Sequence, residues 1–324
     1  MIRDTSLADT SVFIPILNEV NHLDTLLSSL IDGKDYEATE FFLIDGGSTD
    51  GTMDLIKAWQ TKHPFIYLLD NPKQYANFAF NHAFPLSKGK YIAFIGAHAE
   101  YPPNYFESGK KYLDANECDV VGGPLIQKGR SVKGKAIAFA MSSRLGVGNT
   151  EFRTSQEKQF VDSVAFAMYK REIFNDVGLL DEELIRNQDD ELHYRMNAAG
   201  YRILMVPEMK CVYYVRETLS GLFKQYFQYG LFKPLVLKKV RSGVRMRHLI
   251  PAGFVLFFLL LPLSWLFMEW LALVPLLTYL VLLLATAIGS DLKIKSKIYL
   301  LLVYPVLHIS YGIGFLFGLR KLLK

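Results

Sequence analysis

Residues 41–63 read FFLIDGGSTDGTMDLIKAWQTKH. The first five, FFLID (41–45), form a short apolar run closed by glycine, which predicts a buried strand. The last twelve, TMDLIKAWQTKH (52–63), predict a helix, with Thr49 or Asp50 as its cap. Between them, DGGSTDGT (45–52) forms a loop whose glycines let the backbone come close to a ligand. It is not the dinucleotide fingerprint, since the GxGxxG spacing is absent, and no Lys-Ser/Thr pair makes it a Walker loop. Taken alone, it is equally a capped turn.

The same alternation extends to either side. SVFIPIL (11–17) predicts a strand, followed by an amphipathic helix carrying Leu23, Leu26, Leu27 and Leu30. IYLLD (66–70) is strand-like, 75–87 helical, and YIAFIG (91–96) a fourth strand. Strands alternating with helices of this length imply an α/β fold, a mostly parallel sheet covered on both faces. The fourth strand delivers His98 at its carboxyl end, where open α/β sheets bind ligands. A strand-end histidine facing water is the plain alternative.

Of the 324 residues 51% are apolar, and the excess is concentrated in residues 249–319. The net charge of +4 gives nucleic-acid binding no support. Cys118 and Cys211 supply neither a metal spacing nor a disulfide framework, which suits a reducing compartment. MIRDTSLADT carries Arg3, Asp4 and Asp9 with no secretory core after it, so residues 1–217 are expected in the cytoplasm.

PILNE (15–19), LIDGGSTDGT (43–52), Asn81 eight residues before Gly89, and YIAFIGAHA (91–99) follow one another in an order that resembles glycosyltransferase family 2. VGGP (121–124), SSRLGVGNTEFR (142–153), VGLLDEELIRNQDDELHYRM (177–196) and YYVRETLSGLFKQYFQYG (213–230) extend the resemblance toward the bacterial succinoglycan type, over about residues 11–235. It implies a GT-A fold, a single Rossmann-like domain that binds a nucleotide sugar.

Glycosyl transfer needs the nucleoside diphosphate held, its departing charge stabilised, and the acceptor hydroxyl deprotonated. By the resemblance, Asp45 hydrogen-bonds a uracil ring and Pro15, Asn18 and Glu19 lie along the nucleotide. Ser48, Asp50, Asn81 and Gly96 complete the nucleotide-sugar set. Without it, Glu19 is simply a carboxylate favoured at a helix start. NQDDEL (187–192) resembles the family's catalytic block, with Asp189 as base. A helix from there carries Asp189, His193 and Met196 on one face and Asp190, Tyr194 and Asn197 elsewhere. Spacing alone leaves capping as the rival reading. One base without a second nucleophile implies inversion at the anomeric carbon.

YIAFIGAHA aligns with the family's YIAFLDADD, whose carboxylates touch the ribose and chelate a metal. Here Gly96 and His98 replace both aspartates. His98 is expected to hold a divalent metal, Mn²⁺ in preference to Mg²⁺, because imidazole suits Mg²⁺ poorly. Glu100 stands near enough in sequence to add a carboxylate. Gln225 begins what resembles a Gln-x-x-Arg-Trp block, but the Arg-Trp is missing, which argues against a processive synthase. Arg216, Gln225 and Lys233 are expected on the diphosphate and acceptor side.

Between Thr218 and Met268 there is no acidic residue, while Lys224, Lys233, Lys238, Lys239, Arg241, Arg245 and Arg247 interleave with aromatics. Residues 218–248 thus read as a basic amphipathic interfacial segment on anionic lipids. Residues 249–324 read as transmembrane, with spans at 249–268, 271–289 and 298–319. The basic stretch and Lys293, Lys295 and Lys297 favour the cytoplasmic side of an inner membrane. A third span then carries Arg320, Lys321 and Lys324 outside, unless it is re-entrant. The expected activity is transfer of a hexose from a UDP-sugar to a polyprenyl-diphosphate-linked saccharide in cell-surface polysaccharide assembly. Gly96 leaves room for a catalytically silent scaffold; a transporter lacks an intramembrane charged pair.

Overall fold

The computed structural model describes residues 8–31, 38–240 and 245–322. Arg3, Asp4, Arg241 and Lys324 lie outside the described residues. In chain order the strands are β1 (Thr10–Ile16), β2 (Thr39–Asp45), β3 (Ile66–Asp70), β4 (Tyr91–Phe94), β5 (Ala99–Glu100) and β6 (Val120–Gly123). There follow β7 (Leu125–Lys128), β8 (Gln159–Phe160), β9 (Ala165–Lys170), β10 (Ile203–Met205) and β11 (Cys211–Tyr214). Eight of them make one sheet in the order β3-β2-β1-β4-β9-β6-β10-β8. Every residue of β2 is buried, as expected for a strand covered on both faces.

β1, β2, β3 and β4 run parallel, as do β6 and β10. Between them β9 runs antiparallel to β4, with Ala93 opposite Met168. The start of β9 therefore lies at the carboxyl end of β4. The fourth strand stops at Phe94 rather than at 96; Ile95 gives its amide to Phe13, and the chain then turns away. The helix expected over 75–87 runs Ala76–Ala83 and tightens into a 3-10 turn at Phe84–Leu86, where Pro85 ends it.

The chain separates into two compact units, residues 1–126 with 155–213, and residues 127–154 with 214–324. Residues 127–154, expected within the first domain, thus group with the C-terminal helices. Their partners explain it. The Ser296 hydroxyl donates to the Val132 carbonyl at 3.0 Å, Ser143 and Tyr304 hydroxyls meet at 2.8 Å, and His308 Nε2 lies 2.8 Å from the Leu145 carbonyl.

Within the stretch expected as a basic amphipathic interfacial segment, a helix spans Leu219–Val240 and packs on the helix Ile294–Leu319. A Cβ on Gly314 would lie 2.1 Å from the Phe227 carbonyl oxygen, so the two backbones touch. Helices Met246–Met268, Val274–Gly289 and Ile294–Leu319 correspond to the three apolar stretches, and among the described residues three helical segments are long and apolar enough to cross a membrane. The first two expose Leu259, Leu266, Val281 and Ile288, while about half of the third is buried.

Candidate functional site

At the carboxyl ends of β1 and β2, paired so that Ile16 faces Asp45, two loops are stapled side by side. Asp45 Oδ2 accepts the Gly47 and Ser48 amides, both at 2.9 Å, and Oδ1 accepts the Ser48 hydroxyl at 2.5 Å. A carboxylate offers about four lone-pair directions, so one acceptor position remains. Ser48 Oγ accepts the Asn18 amide at 2.8 Å, and Asn18 Oδ1 accepts the Thr49 amide at 2.9 Å. Asn18 manages this at φ +57°, a left-handed conformation that asparagine tolerates. Pro15 sits half-buried opposite Ile44.

Gly51, not Thr49 or Asp50, occupies the cap position of the helix Thr52–Lys62, at φ +95°. Asp50 still serves the helix start, accepting the Thr52 amide at 3.1 Å as well as its hydroxyl. The Thr52 hydroxyl bond lowers the Asp50 pKa. Asp50 also accepts the Val20 amide at 3.2 Å, and Thr52 Oγ1 accepts the Glu19 amide at 2.8 Å. Asn18, Glu19, Asp45, Ser48 and Asp50 thus form one network.

His98 reaches this network from the segment after β4. Its Nε2 stands 2.9 Å from Glu19 Oε1. Glu19 is only 4% exposed, and its Oε2 is buried without a hydrogen-bond partner. His22 joins them, so that one ligand atom each from Glu19, His22 and His98 lies within 4.8 Å of the others. A buried carboxylate grouped with two imidazoles fits a divalent cation. Glu100, exposed on β5, is not in this group. His22 was missed from the sequence; its one signal is the spacing of three from Glu19 at a helix start, which puts both on one side.

Gly96 is held differently. Its amide donates to the Tyr101 hydroxyl at 2.8 Å, which donates back to the Gly96 carbonyl at 3.0 Å. A Cβ there would lie 2.8 Å from the Phe166 ring, so an aromatic edge fills the space of the family's first aspartate.

The helix Gln188–Ala198 starts after Asn187, at φ +61°, and leaves Asp189 exposed. His193 and Met196, expected on the face of Asp189, are buried while Asp189 is exposed; Tyr194, expected on another face, is buried too, because this helix is covered on more than one side. His193 Nδ1 lies 2.9 Å from Ser163 Oγ and Nε2 lies 3.0 Å from Tyr169 OH. Ser163 also donates to Asp190 at 3.4 Å. One neutral tautomer satisfies the chain: Tyr169 donates to Nε2, and Nδ1–H donates to Ser163. Burial pushes the His193 pKa down to about 4. Because Ser163 precedes β9, the helix start belongs to the sheet end that carries His98.

Arg195 fixes that start, bonding Glu191 at 2.6 Å and the carbonyls of Val177 and Leu179. Asn81, expected to bind the nucleotide sugar, instead donates to the Leu180 carbonyl at 2.9 Å and accepts the Leu180 amide at 3.1 Å. Asn77, unnoticed in the sequence, donates to the carbonyls of Asp181 and Leu184 at 2.9 and 3.1 Å. Both asparagines hold the loop that leads to Asp189. Arg216, Gln225 and Lys233 lie in the second unit: Arg216 is exposed, Gln225 donates to Tyr229 at 3.1 Å, and Lys233 is buried.

The sequence pattern of glycosyl transferase family 2 matches residues 11–178. The succinoglycan biosynthesis protein ExoA of Rhizobium meliloti (strain 1021) is 35% identical over 268 residues, 82% of this chain and 80% of its own. The dolichyl N-acetyl-alpha-D-glucosaminyl phosphate 3-beta-D-2,3-diacetamido-2,3-dideoxy-beta-D-glucuronosyltransferase of Methanococcus voltae is 28% identical over 325 residues, 96% and 97% of the two chains. Among solved structures, the mannosyltransferase PcManGT from Pyrobaculum calidifontis, in complex with GDP-Man and Mn²⁺, superposes with a TM-score of 0.61. It is 17% identical, over 97% of this chain and 87% of that one. With its mostly parallel sheet of the GT-A kind, the chain belongs to glycosyltransferase family 2.

Proposed function

We propose that the chain transfers a hexose from a UDP-sugar to a polyprenyl-diphosphate-linked saccharide, with inversion, in cell-surface polysaccharide assembly. The observation that carries this reading is the stapled pair of loops beside His98, at the same sheet end as the exposed carboxylate of Asp189. The remaining acceptor position on Asp45 suits the imide N–H of uracil. Pro15, Asn18, Ser48 and Asp50 line the nucleotide's course, and Gly96 leaves backbone beside the ribose.

Asp189 takes the proton of the acceptor hydroxyl while that oxygen attacks the anomeric carbon and the diphosphate departs from the opposite face. The bond that forms is opposite the bond that breaks, so the configuration inverts. His98 and Glu19 would hold a divalent cation, Mn²⁺ in preference to Mg²⁺, which when bound neutralises the departing diphosphate.

The lipid acceptor is supported by the three apolar helices and by the named activity of the Methanococcus relative on a dolichyl-phosphate sugar. The basic residues before 249 and at 293–297 support a multi-pass protein with its catalytic unit on the cytoplasmic face. Phe166, filling the space beside Gly96, favours a second reading, a silent scaffold that keeps the fold without turnover.

One experiment separates the two. Membranes carrying the full chain are incubated with labelled UDP-hexoses and GDP-hexoses, and lipid extracts are counted. Label from a UDP-hexose, lost in Asp189→Asn, supports the transferase. No label from any donor, with UDP still bound, supports the scaffold.

A further inference from the structure

The turn after β1 carries an imidazole that the reaction above does not use. The Glu19 carbonyl accepts the amides of His22 and Leu23, both at 2.9 Å, which coils the chain so that His22 stands one turn beyond Glu19. His98 arrives from the other side, its ring 5.2 Å from that of His22 and edge-to-face with it. An ion pair between Glu19 and His98 accounts for the 2.9 Å contact between them. It accounts neither for the second imidazole nor for the buried, unpartnered Oε2 of Glu19. Two donors about 2.1 Å from one ion, at right angles, stand about 3 Å apart, which is the spacing of Glu19 Oε1 and His98 Nε2.

We infer that Glu19, His22 and His98 form a preassembled centre of two imidazoles and one carboxylate that takes a divalent transition cation on protein side chains alone, before any nucleotide arrives. Three protein donors leave the remaining positions of a six-coordinate ion to water or diphosphate oxygens. Two nitrogen donors favour Mn²⁺, Co²⁺ and Zn²⁺ over Mg²⁺. The inference deepens the reading of these loops as the donor site, but the binding it claims does not depend on turnover.

The test uses the full chain in detergent, free of nucleotide. MnCl₂ is titrated with the signal of free Mn²⁺ followed by electron paramagnetic resonance, and CoCl₂ with visible absorption. One equivalent should bind, and His22→Ala and His98→Ala should each weaken binding at least about tenfold, as losing a partner of a metal site does. His22→Asp should keep the site and shift its preference toward Mg²⁺, with thermal midpoints showing that all variants fold. No binding of Mn²⁺ or Co²⁺ by the folded, nucleotide-free chain would overturn the inference. So would an unchanged affinity in His22→Ala. Metal binding that persists in a chain transferring no sugar would refute the transferase reading and leave the centre standing.

Discussion

Two parts of one sheet end use their carboxylates in opposite ways. In the β1 and β2 loops, Asp45 and Asp50 spend their oxygens on backbone amides and neighbouring hydroxyls. At the start of the helix Gln188–Ala198 the neighbours do the holding: Arg195, Asn77 and Asn81 fix the approach, His193 anchors the helix, and Asp189 itself stays exposed. A surface that must keep its shape for a nucleotide gains from carboxylates tied into the loops. A group that must take a proton from an incoming hydroxyl has to remain reachable.

The sharpest way to break this comparison is to remove the exposed carboxylate. Asp189→Asn should lower turnover by about 10²–10⁴-fold with UDP affinity unchanged, the loss expected for a general base. Asp190→Asn, whose partner is Ser163, should cost far less; the reverse result would put the base one residue on.

Acid should act next, through the anchor. The His193 pKa is depressed to about 4 in the folded chain, against about 6.5 unfolded. Between those values the unfolded state binds the extra proton, so folding stability is intact above about pH 6.5 and falls as pH drops toward 4. The slope should approach 1.4 kcal/mol per pH unit at most. Thermal midpoints across that range check it, and a flat profile would mean the imidazole is not held neutral.

Asp45→Ala deletes three hydrogen bonds inside the nucleotide loop and should destabilise by about 2 kcal/mol, while weakening UDP more than it slows the bound complex. Equal losses in both would erase the division between holding and reacting. The smallest effect is expected from Gly96→Asp. It meets the Phe166 ring, so overpacking should cost about 1–2 kcal/mol without tightening Mn²⁺. The double variant with Phe166→Ala should recover stability; tighter Mn²⁺ binding by the single variant would show that Phe166 yields readily.

Much of this arrangement was legible in the sequence because it is local. Alternating strand and helix patterns, the loop after Asp45 and the acidic helix start lie in consecutive residues, and sheet topology alone carries them to one end. What escaped depends on distant neighbours. His22 becomes a ligand only where His98, far along the chain, meets it. Asn81 holds the carbonyl and amide of Leu180, partners that nothing near it in the sequence announces. Phe166 fills the place beside Gly96 only because β9 runs against its neighbours, and antiparallel insertion leaves no mark on hydropathy. Residues 127–154 look like any part of the first domain until their partners after residue 290 are known. Truncation at 217 would therefore leave residues 127–154 in the chain without those partners.

That last pairing also sets a clock. The bond between Ser143 and Tyr304 spans 161 residues. At synthesis rates of about 5–20 residues per second, the stretch around Ser143 leaves the ribosome roughly ten to thirty seconds before its partner exists. During that interval its apolar face needs another cover, from lipid or a chaperone, and chains released early never receive the native one. Completion of the second unit thereby reports that translation has passed residue 304.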